Sequence, residues 1–508
     1  MRINTALLTV ALLLSAWSAT AGIPRTEAQK TIDSVCAREP LRSSLVGVLA
    51  VRMSGDTVAA VNPFRKLVPA SNVKLLTTGL ALNALGADHR FETRLGYTGE
   101  IVDGTLQGDL YILGGGDPTT GSRSDSTAPV SGVFAQWAEW LEAAGIRQIE
   151  GRLLGDPRYF GETHSQNLGW SYDDLGTNYG AGPQGLNFFE NAQNFYITPG
   201  ASVGAAPVVQ PRYPDTPWMH FINHARTGDA RSANSLYYVT TPMAPLGELA
   251  GSFPIDRRAY TLECSNLFGA YTCAWYFYNF LQTRGVPVSQ GYGDVTPQGD
   301  IRTGLDLQDA SVRAASPEEI SVLGVTCSAP LADIVGDTNR DSNNFYAETL
   351  LRQLALRTGY GTDEEECRKA AEAALRGLGL RTDGACQQFD GSGLSRKNYV
   401  SPDFFVRFLR KMTTLPVWEP YFNSLPVPGA KGTLENRLPK AEQPLKDRIH
   451  MKSGSMNGVR CFSGYIQAAD GDPSQMIVFS LLVNNCTAGS FVVMPVLDEI
   501  IVAIAGEN

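Results

Sequence analysis

The sequence lacks an excess of positive charge, tracts of low complexity and repeats of fixed period. Its 508 residues carry 42 lysines and arginines against 51 aspartates and glutamates, a formal net charge of −9 at pH 7. Because nucleic acids are bound mainly through clustered Lys and Arg, an acidic chain of this kind is a poor candidate for binding them. The 51 glycines and 29 prolines are scattered, so disordered and solenoid architectures are disfavoured.

The apolar stretch near the start, Ala6 to Trp17, is too short to cross a bilayer, which takes about 20 residues. It follows the basic Arg2 and ends at the small residues Ala19-Thr20-Ala21. A basic start, a short apolar core and a small-residue end are typical of a secretory signal peptide. We therefore predict a signal peptide over 1–21, cleaved after Ala21, and an exported chain.

Eight cysteines, an even number without metal-type spacing, fit an oxidising compartment. Sequence alone does not fix which cysteines pair, so several buried thiols without bridges remain the alternative. The spacing suggests four pairs, which are Cys264 with Cys273, Cys367 with Cys386, Cys461 with Cys486, and Cys36 with Cys327.

The chain is longer than the ~250–300 residues at which a single core stops growing, so we expect more than one domain. Strand and helix patterns at the start and helices, strands and a helix at the end predict an α/β core whose sheet draws on both ends. Short strands with turn signals fill the middle. The predicted division is a discontinuous core domain over 22–90 and 313–508, an inserted domain over 91–190 and 300–312, and a second nested domain over 191–299.

Ser71 and Lys74 lie three residues apart at the start of a predicted helix, so the amine can reach the hydroxyl on the same face. Lys74 can act as a base only if its pKa falls, which burial and a second cation such as Lys452 would cause. The helix amino terminus also favours an alkoxide-like oxygen. The alternative for this string alone is an N-cap serine with a solvated lysine.

Ser342-Asn343-Asn344 precedes a second predicted helix. The Ser342 hydroxyl would pass a proton between Lys74 and a leaving-group nitrogen, and the Asn344 amide would orient a substrate backbone. The alternative is that Ser342 caps the helix, together with Asp341.

Lys452-Ser453-Gly454-Ser455 precedes an apolar segment typical of a strand, at whose edge a peptide could bind through main-chain hydrogen bonds. Lys452 would hold a carboxylate or lower the pKa of Lys74, and Ser453 would donate to that carboxylate. Gly454 would allow a close approach of the backbone. The alternative for this string alone is a polar strand start. The occurrence of all three strings in this order argues against a chance match.

This order of strings resembles the penicillin-binding proteins and serine β-lactamases. The chain is more specifically similar to the class C low-molecular-mass penicillin-binding proteins of the D-alanyl-D-alanine carboxypeptidase/endopeptidase group, and the similarity covers nearly the whole mature chain. In that family an insertion separates the first two motifs, and 267 residues lie between Lys74 and Ser342 here. Four further strings support the narrower match, at residues 108–118, 343–351, 390–395 and 432–437.

The resemblance implies an α/β (α+β) fold with a transpeptidase/β-lactamase-like core, an antiparallel sheet flanked by helices, and a large β-rich insertion. It makes Ser71 the acylated nucleophile, Lys74 the base and Ser342 the proton shuttle. Asn344 becomes a substrate clamp. It also assigns substrate-binding roles to Lys452, Ser453 and Gly454, an oxyanion hole to the N–H groups of Ser71 and Ser455, and contact with the amine of the third stem-peptide residue to Asp174.

The implied function is a periplasmic serine DD-peptidase that cleaves D-alanyl-D-alanine bonds and cross-links of peptidoglycan. The expected partners are peptidoglycan stem peptides and cross-bridges, and β-lactams that acylate Ser71. No metal, organic cofactor or nucleic acid is expected, membrane association would be loose at most, and a homodimer stays open. The alternatives are a serine β-lactamase and a catalytically degenerate peptidoglycan-binding module.

Overall fold

The computed structural model describes residues 25–124, 126–161, 165–242, 244–304 and 312–508, and the predicted signal peptide lies outside them. No helix in these described ranges is long and apolar enough to cross a membrane. The α-helices are Glu27–Cys36, Val73–Leu85, Val130–Ala143, Gly269–Thr283, Leu331–Arg340, Asn344–Arg357, Glu364–Gly377, Pro402–Met412, Trp418–Asn423, Gln443–Lys446 and Ser490–Ala505. Short 3-10 turns occur at Ala70–Asn72, Arg158–Phe160, Asn178–Gly180, Phe189–Asn191 and Pro317–Glu319.

An antiparallel sheet of five strands, which we call the core sheet, joins the two ends of the chain. Leu45–Arg52 pairs along its whole length with Ile477–Asn484, so the sheet unites segments more than 400 positions apart. This arrangement confirms the predicted core. The strand order is Thr57–Val61, Leu45–Arg52, Ile477–Asn484, Val459–Ile466 and Ile449–Met456.

Both faces of the core sheet are buried. Because successive side chains on a strand point to opposite faces, Val478 and Leu482 enter one hydrophobic core, whereas Phe479 and Leu481 enter the other. The second core is completed by the first and last helices, Glu27–Cys36 and Ser490–Ala505. The first core is covered by the helices at Val73–Leu85, Leu331–Arg340, Asn344–Arg357, Glu364–Gly377 and Pro402–Met412.

A mixed sheet of six strands, which we call the inserted sheet, forms most of the middle of the chain. Its last strand, Ser321–Cys327, pairs with Glu92–Tyr97, so the sheet continues past the boundary predicted at 312. Tyr292–Val295 pairs with Leu153–Asp156, so these residues lie in the inserted sheet and not in a separate nested unit. The strand order is Ile301–Arg302, Tyr292–Val295, Leu153–Asp156, Leu110–Gly114, Glu92–Tyr97 and Ser321–Cys327.

Smaller sheets complete the region between residues 100 and 265. Ala192–Thr198 pairs antiparallel with Val208–Arg212 on one side and Tyr260–Ser265 on the other. The remaining strands of this part of the chain are Glu100–Val102, Thr105–Gln107, Gln148–Ile149, His220–Asn223, Arg226–Gly228, Tyr237–Thr241, Ala244–Ala250 and Ser252–Pro254. A two-stranded ribbon of Cys386–Gln387 and Tyr399–Val400 lies nearer the carboxy terminus.

The helix Gly269–Thr283 is absent from the sequence prediction, which treated this region as strands. Its residues are rich in Tyr, Phe, Trp and Thr, which favour strands by intrinsic propensity. Its buried positions nevertheless include Ala270, Ala274, Phe277 and Leu281, at the four-three-four spacing of one helix face. Burial of that face in the core of the inserted sheet outweighs the local preference.

All eight cysteines lie in the described part of the chain and are thiols there. The four bridges suggested by their spacing are therefore not formed in this structure. The Cys367 thiol is buried and donates to the carbonyl of Thr362 at 3.5 Å. Burial raises the pKa of the Cys461 thiol to about 12, which makes it a packing group of the core.

Candidate active site

Ser71 lies in the 3-10 turn Ala70–Asn72 and the helix Val73–Leu85 continues directly from it, as the sequence predicted. The Asn72 amide donates to Ser463 Oγ of the core sheet at 2.8 Å. This bond ties the turn to a neighbouring strand. The backbone that carries Ser71 is thereby held against the core sheet where the helix begins.

Two glycines allow other segments to reach the backbone that carries Ser71. A Cβ placed on Gly393 would lie 1.9 Å from the carbonyl oxygen of Ala70, and one on Gly454 would lie 2.6 Å from that of Pro69. Either added carbon would also lie 3.0 Å from the Ser71 nitrogen. The close approach predicted at Gly454 is therefore an approach to the turn that carries Ser71.

The amine of Lys74 is completely buried and makes three hydrogen bonds. Nζ lies 3.1 Å from Ser71 Oγ, 2.6 Å from Asn344 Oδ1 and 2.7 Å from the carbonyl oxygen of Ser392. A neutral amine has two hydrogens and one lone pair. If Asn344 and Ser392 accept the two hydrogens, the lone pair points at the Ser71 hydroxyl, which is the geometry of a general base.

Burial lowers the pKa of Lys74 to about 7, against the opposing charges of Asp390 and Glu348. Burial and then the charge of Lys74 lower the pKa of Lys452, so the two buried amines repel each other when both are protonated. Near neutral pH an appreciable fraction of Lys74 is therefore deprotonated.

Ser342 lies in the link between the helices Leu331–Arg340 and Asn344–Arg357, with a left-handed φ of 57°. Its hydroxyl accepts a hydrogen bond from Lys452 Nζ at 2.9 Å. The predicted capping role falls to its neighbour, because the Asn343 side chain accepts from the Tyr346 N–H at 3.0 Å.

Asn344 connects Lys74 to the middle of the chain. Its Oδ1 accepts from Lys74, and its Nδ2 donates to the carbonyl of Tyr179 at 3.0 Å. An amide group has a second N–H, which leaves one donor for a substrate carbonyl. Of the two residues of this string that the sequence assigns to the site, Ser342 and Asn344, it is Asn344 that contacts Lys74 directly.

The third string lies on Ile449–Met456, the strand at the end of the core sheet. Lys452 is completely buried, and its Nζ also donates to the Ser453 carbonyl at 2.8 Å. Ser455 is exposed and pairs with Arg460 on the neighbouring strand. A strand at a sheet edge can add an extended peptide by main-chain hydrogen bonds.

A cleft of about 530 Å³ opens over Ser71, and the predicted residues Asp174, Ser342, Asn344 and Ser455 line it together with others. Burial and the charge of Asp173 raise the pKa of Asp174, against a hydrogen bond from Tyr179 and the charge of Arg396. The cleft thus contains carboxylates and a guanidinium on its walls beside Ser71. The further lining residues are Ser171, Asp173, Tyr179, Gly393, Leu394, Arg396, Met456 and Asn457.

The loop 390–395 supplies a partner of Lys74 that the sequence prediction did not assign. The Glu348 carboxylate accepts from the N–H groups of Gly391 and Ser392 at 3.0 and 2.7 Å. This pair of bonds fixes the Ser392 carbonyl that faces Lys74. The strings at 343–351 and 390–395, which support the family resemblance, contain Glu348 and this loop. Their joint occurrence was the sequence signal for this contact.

The Asp390 carboxylate holds the conformation of the same loop, 390–395. Its carboxylate accepts from the N–H groups of Gly393 and Ser395 at 2.8 and 2.6 Å, and from the indole N–H of Trp170 at 3.0 Å. The indole belongs to the segment that carries Asp174. Asp390 therefore fixes the contact of Gly393 with the turn that carries Ser71, and it anchors one wall of the cleft.

Comparison with known proteins gives the family. The model of the D-Ala-D-Ala carboxypeptidase 3 (S13) family matches residues 28–502, so the chain belongs to this family. The D-alanyl-D-alanine carboxypeptidase of Actinomadura sp. (strain R39) is 30% identical over 95% of this chain and 85% of that protein. The D-alanyl-D-alanine carboxypeptidase DacB of Haemophilus influenzae is 25% identical over 88% of this chain and 86% of that protein.

Comparison with solved structures shows that the chain has the fold of a penicillin-binding protein. The crystal structure of penicillin binding protein 4 (dacB) from Haemophilus influenzae superposes with a TM-score of 0.76 at 22% identity. The match covers 93% of this chain and 98% of that chain. The predicted penicillin-binding fold with a large insertion is therefore confirmed.

Proposed function

We propose that this chain is a serine D-alanyl-D-alanine carboxypeptidase and endopeptidase that acts through an acyl-enzyme on Ser71. The observation that carries the assignment is the set of three bonds around Lys74, which aims the amine lone pair at the Ser71 hydroxyl. Family membership and full-length relatives named D-alanyl-D-alanine carboxypeptidase support the reaction class. The substrates are stem peptides and cross-bridges of peptidoglycan.

Acylation begins when Lys74 takes the Ser71 proton and Oγ attacks the carbonyl carbon of the D-alanyl bond. The negative charge that develops on the carbonyl oxygen needs fixed donors. The N–H groups of Ser71 and Ser455 serve as these donors, since both residues line the cleft. The tetrahedral intermediate then collapses when the bond to the leaving nitrogen breaks.

The leaving nitrogen must receive a proton. Ser342 Oγ accepts a hydrogen bond from Lys452, so its own proton is free to point at the leaving group. The Ser342 hydroxyl then regains a proton through Lys452, which donates to it, and Lys74, which holds the proton taken from Ser71. Water attacks the acyl-enzyme with Lys74 again as base, and the second product leaves Ser71 free.

The substrate backbone would lie along Ile449–Met456, the edge strand of the core sheet. Asn344 offers its second amide N–H to a peptide carbonyl, and the buried Lys452 and the Ser453 hydroxyl provide positive character for the terminal carboxylate. Asp174 would contact the free amine of the third stem-peptide residue. Arg396, on the same cleft, lies close enough to influence the pKa of Asp174.

A peptidoglycan substrate and the predicted export signal lead us to propose the periplasm as the location. β-Lactams would acylate the same serine, since they present a strained amide to it. A penicillin-binding fold alone does not distinguish a peptidase from a β-lactamase, because both form the acyl-enzyme and differ in the rate of its hydrolysis.

One experiment separates these functions. Wild type and Ser71→Ala are incubated with a fluorescent penicillin, and D-alanine release and penicillin hydrolysis are followed in parallel. We expect a stable label and D-alanine release for the wild type, and neither for Ser71→Ala. Rapid turnover of the drug would indicate a β-lactamase, and a wild type that neither labels nor releases D-alanine would exclude both enzymes.

A further inference from the structure

An unusual turn approaches the Ser342–Asn344 string from the inserted part of the chain. Phe189, Glu190 and Asn191 all have left-handed φ values, of 53°, 57° and 47°. For residues other than glycine this conformation is unfavourable, because Cβ comes too close to the following carbonyl oxygen. Three such residues in succession persist only when surrounding contacts impose the conformation.

The surroundings of this Glu190 turn, residues 189–191, supply those contacts. The N–H of Phe189 donates to the carbonyl of Thr120, and the Asn191 amide donates to the carbonyl of Gly182 at 3.0 Å. Asn191 is completely buried. The turn is therefore held rigidly, and the side chain between its two buried residues has a fixed direction.

The Glu190 side chain points toward the second motif, Ser342-Asn343-Asn344. Glu190 Oε2 accepts a hydrogen bond from Asn343 Nδ2 at 2.9 Å, and Oε1 accepts from Ser122 Oγ at 2.6 Å. Asn343 is the residue between Ser342 and Asn344, and its side-chain oxygen caps the following helix at Tyr346 N. The Glu190 carboxylate thus fixes the side-chain amide of Asn343. The oxygen of the same amide caps the helix Asn344–Arg357.

Ser122 closes the network into a ring. The hydroxyl of the fully buried Tyr346 donates to Ser122 Oγ at 2.8 Å, and Ser122 in turn donates to Glu190. The Asn343 amide, the Ser122 hydroxyl and the Tyr346 hydroxyl each donate to an acceptor within this part-buried ring. A connected network of this kind favours a single geometry.

The same segment makes a second connection just before Ser342. Ser124 Oγ donates to the Asp337 carboxylate at 2.5 Å, and Ser126 donates to the same carboxylate oxygen. Asp337 lies on the helix that ends at Arg340, two residues before Ser342. The left-handed Ser342 is thus held on both sides by the inserted part of the chain.

We propose that Glu190 is a positioning residue for acylation: through Asn343 it sets the geometry at which Ser342 meets Lys452 and Asn344 meets Lys74. The inference rests on the proposed function. It makes the insertion part of the reaction machinery, because the first two motifs are aligned by a residue that touches neither substrate nor Ser71.

The test compares acylation rates of the full chain by a fluorescent penicillin for wild type, Glu190→Ala, Glu190→Gln and Glu139→Ala. Glu139 is an exposed glutamate on the helix Val130–Ala143 and serves as the matched control. Misplacement by about 1 Å can cost 10²-fold in rate, so Glu190→Ala should acylate about 10–100 times more slowly. Glu190→Gln keeps an acceptor for Asn343 but loses the acceptor for Ser122, whose oxygen already accepts from the Tyr346 hydroxyl and the Ser124 N–H. Its rate should therefore lie between those of the wild type and Glu190→Ala.

A double-mutant cycle with Asn343→Ala tests the route of the effect. If Glu190 acts through Asn343, the double variant should acylate no more slowly than Asn343→Ala alone. Thermal unfolding and titration of the active fraction are measured for each variant. Should Glu190→Ala not fold, Ser122→Ala decides instead, with an expected severalfold loss of rate.

The outcomes are distinct from a failure of the proposed function. If wild type and Glu139→Ala label while Glu190→Ala acylates within twofold of them, the positioning role is wrong. A lower unfolding temperature with an unchanged rate per active molecule would also overturn it, because that is a purely structural effect. Absence of label on the wild type would instead contradict the proposed function itself.

Discussion

Lys74 Nζ donates to Asn344 Oδ1 at 2.6 Å, although the two residues are 270 positions apart in the chain. The contact joins the first motif to the second without the Ser342 hydroxyl, which bonds to Lys452. The four side chains therefore form two pairs, and each pair joins a lysine to a residue of the second motif. This arrangement gives the two lysines separate positions relative to the reacting bond.

The first prediction concerns the pH dependence of acylation. Because burial lowers the pKa of Lys74 to about 7 and only the neutral amine accepts the Ser71 proton, the rate should rise with pH and level off above that pKa. The measurement is the second-order rate constant for a penicillin between pH 5 and 9, chosen around that value. A rate that is flat below pH 7 would contradict Lys74 as the base.

The second prediction concerns the buried Glu348, whose pKa is raised by burial and then by the charge of Asp390. The negative charge of Glu348 raises the pKa of Lys74. Glu348→Gln keeps an acceptor for the N–H groups of Gly391 and Ser392 and removes the charge. The range in which the acylation rate rises with pH should therefore move to lower pH. If this range does not move, the charge of Glu348 does not affect the pKa of Lys74.

The third prediction compares two glycines with positive φ. A Cβ on Gly384 meets nothing within 4 Å, so Gly384→Ala should cost only about 1–2 kcal/mol of unfolding free energy for its left-handed backbone. A Cβ on Gly393 would collide with the Ala70 carbonyl beside Ser71. Gly393→Ala should therefore lose more stability and also slow acylation about 100-fold, whereas Gly384→Ala keeps its rate.

Urea unfolding and penicillin acylation, measured on both alanine variants, check this comparison. Equal acylation rates for the two would show that the nucleophile turn tolerates displacement at Gly393.

The fourth prediction concerns Asp174. If its carboxylate binds the amine of the third stem-peptide residue, Asp174→Asn should lower kcat/KM about 10-fold for peptides with a free amine there. Peptides with that amine acetylated, and penicillin without an amine, should react as with the wild type. Asp173→Asn is the control, since Asp173 lines the same cleft. Equal losses on free and acetylated peptides would exclude the amine contact.

Much of the core could be predicted because its signals are local. The helices Val73–Leu85 and Asn344–Arg357 begin where the first two motifs predict a helix start. The helix Gly269–Thr283 was missed because its aromatic residues favour strands unless one face is buried. The end of the inserted sheet at Ser321–Cys327 was missed because strand pairing across the chain has no local signal.

The sequence by itself determined the reaction class, because the order of three motifs and the 267 residues between the first two are linear properties of the chain. Only the tertiary structure decided which side chains of these motifs meet. Hydrogen bonds from Lys452 to Ser342, from Lys74 to Asn344, and from Asn343 to Glu190 depend on backbone directions fixed by packing. Burial, which lowers the pKa of Lys74, likewise exists only in the folded chain.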